Sequence, residues 1–197
     1  MNFSAVILAG GKSSRMGRDK AWLEVGGQAL LARQIQLARQ IGAAEIFISG
    51  RAAADYSAFG CRVLLDKFPD AGPLAGIERA LDATAAPLLL VLAVDLPEMS
   101  VEFLLRLAAG SSEICGTIPK LAGGIEPLAA FYPKAAQSLA VAGLERKRFA
   151  VKNFAGQCVK NNLAQFVIFS EPESRHFANW NSPADLALTA PNKQTLA

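Results

Sequence analysis

Two short, almost unbroken apolar runs, residues 3–9 and 87–94, constrain this chain more than any other feature. Both have the length of a buried strand and fall well short of the ~20 residues a membrane span needs. Each stops abruptly on different chemistry. The first runs into Gly10-Gly11 and the second into Asp95. Between and after them the pattern changes to helical spacing. Residues 28–41 place Leu30, Leu31, Ile35, Leu37, Ala38 and Ile41 on one face, with Gly42 as a stop signal. Residues 74–83 read as a helix behind Gly72-Pro73, since proline suits a first helical turn. Residues 101–109 read as another, with Ser100 as its N-cap. Further strands are expected at 45–49, 61–65, 113–119, 128–132 and 166–169. Further helices are expected at 134–142, 146–153 and 182–188.

Strands alternating with helices predict an α/β fold with a mostly parallel sheet and right-handed crossovers. Ligands of such sheets bind beyond the carboxyl ends of the strands, where the strand order reverses. The polar residues of interest fall at those ends: Gly10-Gly11 after the first strand, Asp66 after the third, Asp95 after the fourth. A sheet ordered 3-2-1-4 makes the first and fourth strands neighbours. The glycine loop and Asp95 then face one crevice.

Composition narrows the partners. The 197 residues suit one domain, and 52% hydrophobic content with 19% charge excludes disorder. A net charge of +3 favours anionic small molecules and falls short of a nucleic-acid binder. No apolar stretch is long enough for a membrane span, and no cationic segment precedes an apolar core as in a signal peptide. Cys61, Cys115 and Cys158 are scattered and form no C-x-x-C, which reads as idle thiols in a cytoplasmic setting. His176 is expected at the surface, and zinc is not expected.

Four constellations carry chemistry. In residues 8–20, Gly10 and Gly11 let backbone pass close to a ligand, Ser13 and Ser14 add hydroxyls, and Lys12, Arg15, Arg18 and Lys20 supply four cations within nine residues. This suits a polyphosphate, although neither G-x-x-x-x-G-K-[ST] nor G-x-G-x-x-G is present. The alternative is a solvated loop. Asp95, leaving a buried strand, needs a partner: Mg²⁺ shared with phosphates, or a salt bridge or helix cap. Asp66, before Gly72-Pro73-Leu74-Ala75-Gly76, could accept hydrogen bonds from a base or ribose, or could be a turn aspartate. Asn179 and Asn181 lie on one side of an extended segment. Either could join Asp95 on a metal, or both could serve the turn into the last helix. A softer signal is Glu145-Arg146-Lys147-Arg148-Phe149 with Lys152, either a solvated face or the receiver of a second, anionic substrate.

The string LAGGKSSRMGRDK resembles the signature of the molybdenum cofactor guanylyltransferases, within the wider nucleotidyltransferase group. Asp66 with the Gly72–Gly76 segment, Asp95-Leu96-Pro97, Glu126-Pro127-Leu128 through Tyr132, and Asn179-Trp180-Asn181-Ser182-Pro183 resemble that family's later motifs in order. The resemblance implies a Rossmann-like three-layer sandwich, with a nucleotidyltransferase domain over 1–188 and a polar tail over 189–197. It implies that Leu8, Ala9, Gly10, Gly11 and Ser49 border the nucleotide and that Asp66 contacts the nucleoside. Arg15 and Lys20 hold the triphosphate. Asp95 binds Mg²⁺, with Asn181 as a second ligand, and Arg146, Arg148 and Asn179 serve the second substrate. Gly-Gly after Ala9 resembles the GTP-using branch, whereas cytidylyltransferases for the same cofactor tend to have Ala-Gly. Glu126, Ser49 and Trp180 depart from residues usual in relatives.

The implied reaction is GMP transfer from GTP to the terminal phosphate of molybdenum-molybdopterin, with pyrophosphate leaving. Implied protein partners are molybdopterin-loading proteins and apo-molybdoenzymes. The rivals are a same-fold transferase using CTP or a sugar phosphate, and a non-catalytic nucleotide-binding protein that delivers the cofactor.

Overall fold

The computed structural model describes residues 1–10 and 20–178. The two apolar runs become β1 (Phe3–Leu8) and β4 (Leu88–Ala93), both buried at every position. With β2 (Ile46–Ser49), β3 (Arg62–Leu64) and β7 (Ala129–Pro133) they form a five-stranded sheet ordered β3-β2-β1-β4-β7. The first four strands run parallel, so the expected 3-2-1-4 order is present. β7 is antiparallel to β4, with Leu92 opposite Ala129. A smaller sheet places β5 (Gly116–Leu121) between β8 (Ala164–Ile168) and β6 (Gly124–Ile125).

Alternation along β1 and β4 builds three layers. Ala5, Ile7, Leu88, Leu90 and Leu92 face one way, against α1 (Leu30–Gln40) and α3 (Val101–Ala109). Val6, Leu8, Leu89 and Val91 face the other, against α2 (Pro73–Ala83), α4 (Gln137–Glu145) and α5 (Val151–Lys160). Successive strand side chains point to opposite faces, so an all-apolar strand is stable only when both faces are covered. Ser100 caps α3 as expected, accepting from the Phe103 N–H at 3.2 Å.

Several elements differ from the expectation. Residues 28–29 are not helical. They pair with Glu24–Val25 across Gly26-Gly27, whose φ values of 60° and 80° make the tight reversal only glycine adopts readily. The helix expected over 146–153 is α5, which begins at Val151 and continues to Lys160. Val151, Phe154, Ala155 and Cys158 form its buried stripe, a spacing masked by the polar residues between them. The helix expected from residue 134 opens as a 3-10 turn, Lys134–Ala136, before α4.

His176 corrects the surface expectation. It is only 8% exposed, because the 3-10 segment Glu171–Phe177 folds back onto α3. Its ring lies 4.9 Å from Phe103, and Nδ1 lies 2.6 Å from the Glu98 carbonyl. A carbonyl can only accept, so Nδ1 carries the proton. The expected helix at 182–188 and the tail lie outside the described residues.

Candidate active site

Four strands deliver residues to one edge of the main sheet. β1 ends at Leu8, and Ala9 and Gly10 follow. Both their N–H groups donate to the Ser49 carbonyl at the end of β2, each at 2.9 Å. The Leu8 carbonyl accepts from the Val94 N–H at 3.3 Å. The first turn is therefore stitched to β2 on one side and to the β4 exit on the other. Those two amides are already engaged within the protein. Further backbone donors from the loop would have to come from residues 11–19, and Gly11 and Arg15 lie outside the described residues.

Asp95 follows β4, and Lys20 Nζ donates to its Oδ2 at 3.0 Å. The side chains retain only 22% (Lys20) and 24% (Asp95) exposure. Lys20 opens a 3-10 turn, Lys20–Trp22, that is anchored beyond it. Ala21 is fully buried, and the Trp22 ring stacks on Phe59 and Tyr56 at 5.0 and 5.9 Å. The segment after Asp95 is tied to α1: Gln34 donates to the Leu96 carbonyl at 2.8 Å, and Arg33 to the Met99 carbonyl at 3.4 Å. Both members of the pair thus stand on supported backbone. The crevice predicted between the first and fourth strands is present, and a loop cation and the strand-end carboxylate meet in it.

On the flank of β2 and β3, Ser49 ends β2 opposite Leu64 of β3, and Asp66 follows two residues beyond. Partial burial of the Asp66 carboxyl raises its pKa. The polar Ser49 side chain opposes that shift, and the nearby negative charge of Glu78 adds to it. Glu78 is 3% exposed, and its Oε2 has no hydrogen-bond partner. This cluster sits against the first turn of α2, where Gly76 has a purpose. A Cβ there would lie 2.3 Å from Ser49 Oγ and 3.1 Å from Leu8 Cδ2. Gly76→Ala is therefore expected to cost about 1–3 kcal/mol through overpacking. It should also displace the Ser49 side chain, which a Cβ at residue 76 would meet first. A urea midpoint and a GTP titration read the two effects.

On the other flank, a cavity of ≈ 340 Å³ opens beside Asp95. Apolar walls from Leu96, Pro127, Leu128, Val151 and Phe177 enclose it, and Glu126 and Lys152 are its other charged residues. Burial raises the pKa of Glu126, and Lys152 partly offsets the rise. Arg146 and Arg148 do not line this cavity. They line a separate cavity of ≈ 630 Å³ between α4 and α5 that shares Lys152 with it. Asn179 and Asn181 lie outside the described residues. In the sequence Glu126 opens a family-like motif and departs from the residue usual in relatives, and neither feature places it at the site. Its position follows from the antiparallel pairing of β7 with β4, which sets the start of β7 beside the exit of β4. No local pattern reports such a pairing.

A mostly parallel α/β sheet whose strand ends gather a glycine turn, a lysine and a carboxylate puts a ligand site in the crevice between β1 and β4. The chain belongs to the MobA-like NTP transferase domain family, which it matches over residues 5–157. It is 37% identical over 185 residues to a protein of Opitutus terrae named "Probable molybdenum cofactor guanylyltransferase", covering 92% of each chain. It is 32% identical over 186 residues to one of the same name from Carboxydothermus hydrogenoformans, covering 93% of each. In fold it is similar to a nucleotidyl transferase from Methanothermobacter thermautotroptrophicus, with a TM-score of 0.76 at 20% identity, covering 95% of this chain and 96% of that one.

Proposed function

We propose that this chain transfers GMP from GTP to the terminal phosphate of molybdenum-molybdopterin, giving the guanine dinucleotide form of the cofactor and pyrophosphate. The observation that carries this reading is the Lys20–Asp95 pair, 3.0 Å apart at the crevice between β1 and β4. The names of the relatives similar over nearly the whole chain support the choice of substrates.

An oxygen of the terminal phosphate attacks the α-phosphorus of GTP. The bond from that phosphorus to the β-phosphate oxygen breaks, and pyrophosphate leaves in line. The attacking oxygen is already anionic, so positioning and charge neutralisation carry the catalysis. Lys20 and Arg15 neutralise the triphosphate, Ser49 and Asp66 orient the nucleoside, and the Leu8–Gly10 turn borders it.

Asp95 suits Mg²⁺. It is a partly exposed carboxylate facing the crevice, with Lys20 on its Oδ2 and Oδ1 left for an ion. That donor set matches an ion held by one or two protein oxygens and otherwise by substrate phosphates. When bound there, Mg²⁺ would lower the charge on the α- and β-phosphates, and Asn181 is the proposed second ligand. The proposal includes a cytoplasmic setting, in keeping with the free thiols of Cys61, Cys115 and Cys158. It also includes handover of the labile cofactor from molybdopterin-loading proteins and on to apo-molybdoenzymes.

The test supplies α-³²P-labelled GTP or CTP with Mg²⁺ and molybdenum-molybdopterin. Label should enter the dinucleotide product from GTP, with matching pyrophosphate. Equal or greater incorporation from CTP would overturn the guanylyl assignment, and binding without pyrophosphate release would leave a delivery protein.

A further inference from the structure

The strand order divides the site into two flanks around Asp95. Leu8–Gly10, Ser49 and Asp66 lie at the ends of β1, β2 and β3, on one side of β4. β7 lies on the other side, and its antiparallel pairing brings Glu126-Pro127-Leu128 to the exit of β4. The Ala93 N–H donates to the Leu128 carbonyl at 2.8 Å, which locks this approach two residues before Asp95. A nucleotide held on the first flank leaves the second for the other substrate. There the cavity of ≈ 340 Å³ is walled by apolar side chains, a slot suited to a flat heterocycle. Glu126 lines it with a carboxyl that hydrogen-bonds no described side chain or backbone group, and such a group gains most from a ligand donor.

We propose that Glu126 reads the pterin of the second substrate, accepting hydrogen bonds from the N3–H and 2-amino group of its aminopyrimidinone edge. Two parallel donors matched to two carboxylate oxygens are the same geometry that makes guanidinium–carboxylate pairs specific. Lys152, in the same cavity, provides charge for the ligand's phosphate. The heterocycle is thereby held on the β7 side of Asp95, with its phosphate free to reach the α-phosphorus. This assignment rests on the guanylyltransferase reading and adds the residue that selects its second substrate.

The test measures binding and needs no turnover. The probes are two fluorescent pteridines followed by anisotropy: 6-hydroxymethylpterin phosphate, and the lumazine analogue with oxygen in place of the 2-amino group. The wild-type protein should prefer the pterin by about tenfold or more, as expected for hydrogen bonds to a charged group. E126Q should erase that preference while retaining GTP affinity, measured with a fluorescent GTP analogue, and the parental melting temperature. K152A should weaken both phosphorylated pteridines alike. Equal affinity of the wild-type protein for the two pteridines would overturn the proposal without any variant. So would loss of GTP affinity in E126Q with pterin binding intact, which would assign the carboxylate to guanine. If the wild-type protein binds no GTP at all, the nucleotidyl-transfer reading fails instead.

Discussion

Asp95→Ala is expected to lower GMP transfer by about 10²–10³-fold, the scale of losing one key electrostatic contact in a site that works by charge neutralisation. The fold should survive. Asp95 and Lys20 are each about a quarter exposed, and such a pair is worth about 1 kcal/mol or less once screening is counted. The backbone after Asp95 is also held independently, by Gln34 on the Leu96 carbonyl and Arg33 on the Met99 carbonyl. Turnover should therefore collapse while the thermal midpoint moves by a few degrees at most. Asp95→Asn separates charge from shape: it keeps the side-chain volume and removes the anion, and it should lose nearly as much. Pyrophosphate release by either variant at a rate close to the parent's would remove Asp95 from the reaction.

Lys20→Ala should produce a loss of similar size, divided differently between kinetic constants. Lys20 reaches the crevice from a turn pinned by the Trp22–Tyr56–Phe59 stack, so its cation is delivered with little side-chain wandering. A fixed cation aimed at the triphosphate stabilises bound GTP and, more strongly, the transferring phosphoryl group. KM for GTP should rise and kcat should fall. Lys20→Arg should restore much of the binding but less of the turnover, because the guanidinium fork cannot occupy the position of a compact ammonium. The double variant lacking both Lys20 and Asp95 should lose far less than the product of the single losses, since the two side chains act as one unit. Multiplicative losses would show that they work in separate places.

What the chain encodes locally was readable without coordinates. The strands β1 and β4 are buried at every position and apolar at all but Ser4, and only a sheet covered on both faces accommodates them. Their abrupt ends mark where backbone leaves the core, so Gly10 and Asp95 were identifiable as candidate site residues, and parallel connectivity made them neighbours. The helical faces of α1, α2 and α3 were equally plain, because their buried positions recur every three to four residues.

The remainder depended on pairings distant in sequence. The glycine reversal before α1 is set by the pairing of Glu24–Val25 with Gln28–Ala29, and Gln28 and Ala29 run directly into the helical spacing that starts at Leu30. Polar residues between Val151, Phe154 and Cys158 hid the extent of α5. His176 is buried because Phe103 and the Glu98 carbonyl meet it from 73 to 78 residues away. Arg146 and Arg148, which local charge grouped with the second substrate, face a neighbouring cavity because α4 ends before them and α5 starts after them. Glu126 stands beside Asp95 only because β7 runs against β4. Side-chain periodicity and turn chemistry act over a few residues, so the sequence by itself determined the central strands, the faces of α1, α2 and α3, and the chemistry at the strand ends. Which carboxylates share a cavity is decided by the packing of faces far apart in the chain, and that only the tertiary structure supplies.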